Sequence, residues 1–141
     1  MTVPLWVLLA FAAWTLLVLA GSVGHYRWSR ILSGQSRFAD FGEYRIEGAE
    51  WYQRGMRAHA NCVENLPIYG AIVVVITAAG VDRPSLDVLA LILIGARILQ
   101  SLVHVLFEQT NTVVTFRSIF YNIQFACMAA MVGVVVYGVT A

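Results

Sequence analysis

Residues 5–23 read Leu-Trp-Val-Leu-Leu-Ala-Phe-Ala-Ala-Trp-Thr-Leu-Leu-Val-Leu-Ala-Gly-Ser-Val, with no charged side chain. A helix needs about 20 mostly apolar residues to cross a bilayer, and this stretch is long enough. A secretory leader would compete for the same residues, but it needs a basic start and a shorter apolar centre. Met1-Thr2-Val3-Pro4 carries no base, so the segment is expected to be a retained transmembrane helix. The whole chain follows that lead. Hydrophobic residues make up 60% of the 141 and charged residues only 12%, and mean hydropathy is +0.74. A soluble domain has about 45–50% apolar and about 25% charged residues. This composition argues against a soluble enzyme, a disordered chain and a nucleic-acid binder. The net charge of +1 suggests no polyanionic partner. All nine basic residues are Arg, which reads as compositional bias.

Three further apolar stretches follow. The second begins polar, with His59, Asn61, Glu64 and Asn65, and continues through Ile72-Val73-Val74-Val75-Ile76-Thr77 to Gly80. That β-branched core alone could be a buried strand; its length favours helix. The third carries Arg97 near its middle, and the fourth carries Arg117 near its start. Helices satisfy their own backbone hydrogen bonds in lipid, which an open sheet cannot do. The expected fold is an all-α membrane protein, a four-transmembrane-helix bundle forming one domain over residues 1–141. Its helices are expected at about 4–26, 58–80, 85–107 and 113–138. Asp82 is a candidate cap in the tight 81–84 turn, and Pro84 suits a first helical turn. The link from Gly24 to Arg57 holds six of the nine Arg, among them Arg45, together with Glu43, Glu47 and interfacial aromatics. The positive-inside rule places this 24–57 loop in the cytoplasm and both termini opposite. Cys62 and Cys127 both fall inside spans and read as packing residues.

Ionisable groups within spans are costly and are candidates for function. Arg57, Asn61 and Glu64 stand at i, i+4 and i+7, on one helix face. Pro67 follows and can kink that helix. Arg97, Gln100, Ser101 and His104 share a second face. Arg97 needs an anion, and Glu64 is the acid best placed inside a span, so a structural Glu64–Arg97 ion pair is expected. His104 has no His or Cys at metal-ligand spacing, so no metal site is expected. Arg117, Ser118 and Tyr121 gather a guanidinium, a hydroxyl and a phenol near a helix start, where an anion or thiolate would be stabilised. The competing reading has Arg117 snorkelling to headgroups and Tyr121 in an aromatic belt.

Arg57-Ala58-His59-x-Asn61-x-x-Glu64-Asn65-x-Pro67 resembles the signature of the MAPEG family, the membrane-associated proteins in eicosanoid and glutathione metabolism. Ala96-Arg97 and Arg117-Ser118-x-x-Tyr121 are similar to further family elements, and the four-span layout agrees over nearly the whole chain. The resemblance implies a homotrimer with glutathione bound between subunits near the cytoplasmic side. It implies glutathione contacts from Arg57, Asn61, Glu64 and Tyr121, with Arg27 (Arg30 competing) reaching a carboxylate. Arg117 and Ser118 would act at the thiol. Ala60 replaces a base of the prostaglandin-synthase branch, and Gln100 and His104 replace its His and Tyr, which points to a bacterial-type member. The implied activity is conjugation of glutathione, as co-substrate, to lipophilic electrophiles, with lipid-hydroperoxide reduction as a second activity. The alternative is a non-catalytic lipid-binding scaffold of the same fold.

Overall fold

The computed structural model of the chain describes residues 1–41 and 49–141. The regular elements among them are all helical. Helix α1 (Val3–Val18) passes through a π-helical segment, Leu19–Gly24, into α2 (His25–Leu32). Then come α3 (Glu50–Ala79), α4 (Pro84–Leu106) and α5 (Asn111–Thr140). Four stretches are long and apolar enough to cross a membrane: Val3–Leu32, Glu50–Ala79, Pro84–Leu106 and Asn111–Thr140. At 1.5 Å per residue, the 23 residues of α4 reach about 35 Å, just over a hydrocarbon core of about 30 Å. The 30-residue α3 and α5 reach about 45 Å, so their ends extend past that core.

Local chemistry sets several of these ends. Pro4 lies in the first turn of α1 and Pro84 in that of α4, where a missing N–H costs nothing. The expected Asp82 cap does not form. Arg83 occupies the cap position, with no side-chain cap bond. Gly80 closes α3 with φ +64°, a left-handed conformation that glycine adopts without a Cβ penalty. Val81 N–H then donates to the Ile76 carbonyl and Gly80 N–H to that of Thr77, as in a Schellman ending. Thr110 caps α5 by accepting from Val113 N–H at 3.3 Å.

The expected long loop is much shorter. Tyr26 stacks on Tyr52 with ring centroids 4.2 Å apart, and meets Trp51 edge-on at 5.3 Å. This aromatic cluster ties α2 to the start of α3 and extends both helices past the apolar stretches. The first rod therefore runs to Leu32 rather than about 26, and α3 starts at Glu50 rather than about 58. Glu43, Arg45 and Glu47 lie outside the described residues. Pro67 sits inside α3 without ending it.

Helix α4 packs against α1, α3 and α5, and α3 also touches α1 and α5. The main core joins Phe11, Cys62, Tyr69, Val73, Leu93 and Met131, among others. Lipid is as apolar as these side chains, so close packing and polar contacts decide which helices meet. Small residues allow the approach: Gly55 lies against Ser22, and Ala58 and Ala90 are buried. Tyr69 adds a buried bond from its hydroxyl to the Pro4 carbonyl, 3.0 Å long.

Candidate functional site

The polar residues gather toward the end of the bundle where α2, the start of α3 and the α4–α5 connection meet. Arg54 Nε donates to the Val105 carbonyl at 3.1 Å, and Arg57 Nη1 donates to Gln109 Oε1 at 3.1 Å. Arg27 Nε donates to the Tyr52 hydroxyl at 2.9 Å, and its guanidinium lies over the Phe41 ring at 5.5 Å. Arg30 Nε donates to Ser36 Oγ at 3.0 Å, and its guanidinium lies over the Tyr26 ring at 5.6 Å. The sequence alone did not separate these two Arg. Arg27 is the one held against the bundle by α3.

The α4 face is buried, with Arg97 1%, Gln100 3%, Ser101 3% and His104 4% exposed. Arg97 corrects the expected ion pair. Its Nη1 donates to the Asn61 carbonyl at 3.4 Å, and its guanidinium sits 5.1 Å from the Phe11 ring centre. Nε and Nη2 have no hydrogen-bond partner. Glu64 is exposed on the other side of α3, and the ion pair found among the described residues is Arg54–Glu50 at 4.0 Å. The reason is rotational. Asn65 and Cys62 turn inward, and Glu64, beside Asn65 on the helix, is carried outward. Asn65 Nδ2 bonds the Asn61 carbonyl at 2.9 Å and Asn61 Oδ1 at 3.1 Å. Cys62 and Cys127 are buried thiols, and Cys62 Sγ contacts Ser101 Oγ at 3.6 Å.

On α5, Arg117, Ser118 and Tyr121 line an open groove of about 250 Å³ with Gln100, Val114 and Asn122. Arg117 is partly buried, and its Nε has no partner. Ser118 Oγ donates to the Val114 carbonyl at 2.9 Å, so serving a ligand as donor requires it to leave that bond. Arg57 lines a different groove, of about 280 Å³, with Glu50, Gln53, Arg54, Glu108 and Gln109. Among the described residues, Arg57 and Arg117 therefore line separate grooves. Arg57, Asn61 and Glu64 run along a face that opens away from the bundle.

A family model described as the MAPEG family matches residues 3–137 of the 141-residue chain. The chain belongs to the MAPEG family. No curated protein and no solved structure matches it. With four long apolar helices, this MAPEG protein is an integral membrane protein. The match spans the α3 motif and the Arg117-Ser118-x-x-Tyr121 element alike.

One residue at this site was not singled out from sequence. Gln124, 1% exposed, donates to Gln100 Oε1 at 2.8 Å and to the Phe120 carbonyl at 2.9 Å. The signal was present. Gln124 follows Arg117 at i+7 and Tyr121 at i+3, and a polar residue that continues such a stripe along a span is a candidate for burial.

Proposed function

We propose that this MAPEG protein is a membrane-bound glutathione transferase, acting as a homotrimer on lipophilic electrophiles delivered laterally from the bilayer. The observation that carries the reading is the outward polar stripe. Glu64 and Arg57 are exposed and Asn61 half-buried on α3, and Glu64 belongs to a stretch that crosses the membrane. A carboxylate facing lipid costs several kcal/mol. Covering that stripe with a second subunit removes the cost and turns the open grooves of Arg57 and Arg117 into walls of one enclosed site. Such a site suits glutathione, with two carboxylates, one ammonium and one thiol. Guanidinium groups of Arg57 and Arg27 pair with carboxylates. Glu64, unpaired with Arg97, pairs with the ammonium. Asn61 and Tyr121 complete the walls.

The reactive species is the thiolate. Arg117, with an unpartnered Nε, stabilises the sulfur anion, and Ser118 donates to it after rotating off Val114. A hundredfold shift toward thiolate needs about 2.7 kcal/mol of preferential stabilisation, within reach of one partly desolvated guanidinium and one hydroxyl. The thiolate then attacks the electrophile, forming a carbon–sulfur bond as the leaving group departs with its electron pair. The same thiolate can attack the terminal oxygen of a lipid hydroperoxide: the O–O bond breaks, the lipid alcohol leaves after taking up a proton, and a second glutathione reduces the resulting sulfenic acid to the disulfide and water. On the positive-inside rule we place the Arg-rich end in the cytoplasm, where glutathione is supplied.

Arg117→Ala tests the assignment. Ultraviolet difference absorbance should report bound thiolate when glutathione is added to the purified wild type. The variant should lose that signal and at least 100-fold in conjugation rate while keeping its assembly state. A variant with full thiolate signal removes Arg117 from the mechanism. A wild type that neither retains glutathione nor forms thiolate favours the lipid-binding scaffold.

A further inference from the structure

We propose that Gln100 and Gln124 form an uncharged clamp that positions Arg117, an inference that rests on the glutathione reading. Gln124 Nε2 donates to Gln100 Oε1 at 2.8 Å, and Gln100 Nε2 donates to the Arg117 backbone carbonyl at 3.3 Å. Among the described residues these are the hydrogen bonds that join α4 to α5. Both side chains are buried, at 3% and 1% exposure. Burying two amides in a bundle is costly unless they bond each other or the backbone. Gln124 Oε1 remains without a hydrogen-bond partner.

The clamp acts where α5 buries few apolar side chains of its own within the chain. Asn111, Val114, Thr115 and Phe116 are exposed, and the buried apolar contacts of α5 begin only at Cys127. Arg117 lies between these regions. The clamp holds its backbone carbonyl from α4 and so fixes the height and rotation of the turn bearing Arg117, Ser118 and Tyr121. The amide chemistry matters. A carboxylate at either position would pair with Arg117 and spend its charge, and an imidazole would add a titrating cation. Amides set the geometry and leave the guanidinium available to an anion in the groove. Gln100 and Gln124 are positioning residues, acting through Arg117.

Gln124→Met keeps length and volume and removes the amide. In the full-length protein in lipid nanodiscs, the pH profile of bound-glutathione thiolate should move up by about one unit, a tenfold lower thiolate fraction near neutrality. KM for glutathione should stay within twofold. Gln100→Met should give the same shift, and the double variant no more than either single, as members of one chain are not additive. Amide hydrogen exchange supplies a readout that needs no glutathione, with faster exchange confined to residues 117–122 and unchanged exchange at 127–135. An unshifted profile against a thiolate-forming wild type, or unchanged exchange at 117–122, overturns the clamp. If the wild type forms no thiolate, the glutathione reading fails, and the exchange result alone decides the clamp.

Discussion

Arg97 carries a guanidinium into the bundle with one long hydrogen bond to a backbone carbonyl and an aromatic face beneath it. The spacing of Arg97, Gln100, Ser101 and His104 correctly marked one inward face, because side-chain period follows directly from helix geometry. It could not name the partner of Arg97. That depends on how α3 is rotated against α4, and Asn65 and Cys62 take the inward positions there. Glu64 is left facing out. Tyr69 offers a simpler account of a buried polar group. Its hydroxyl makes one bond, to the Pro4 carbonyl at 3.0 Å, and its ring fills the core. Tyr69→Phe keeps the ring and removes the bond. A loss of about 1 kcal/mol is expected, read from unfolding in mixed micelles, with no change in glutathione-dependent activity. A loss above about 3 kcal/mol would mean that the hydroxyl holds more than the one carbonyl.

Helix ends were the least legible elements. Long apolar runs declare a bilayer crossing because lipid thickness fixes their length. The extensions of α2 and α3 beyond those runs depend on Tyr26, Trp51 and Tyr52 meeting across two segments far apart in sequence, which no local pattern states. The π segment is similar. Ser22 Oγ donates back to the Val18 carbonyl within the π segment Leu19–Gly24 that leads into α2. The contact is tight, since a Cβ added at Gly55 would lie 2.5 Å from Ser22 Cβ and Oγ. Gly55→Ala should therefore cost about 1–3 kcal/mol through overpacking. Adding Ser22→Gly should recover most of it, as thermal unfolding of the three proteins would show. Equal stability of Gly55→Ala and wild type would mean that the two helices separate at no cost.

At the scale of the whole molecule, the candidate site was legible as residue types and not as one enclosed place. The family motif named Arg57, Asn61, Glu64, Arg117, Ser118 and Tyr121, yet the chain places Arg117, Ser118 and Tyr121 in one outward groove and Arg57 in another, with Asn61 and Glu64 lining neither. A single sequence carries no record of which surfaces meet their own copies. The exposed α3 stripe supplies the reason to expect that they do. Native mass spectrometry from detergent should give about 47 kDa of protein, three times the 15.6 kDa chain. A 15.6 kDa species that retains glutathione would place the whole site within one protomer.

The proposed chemistry depends first on the ionisation of the bound sulfur. Ultraviolet difference absorbance recorded as glutathione is added to the wild-type protein at neutral pH should show a saturable thiolate band, absent in Arg117→Ala. Retention of glutathione entirely as the thiol, or no binding at all, would contradict it.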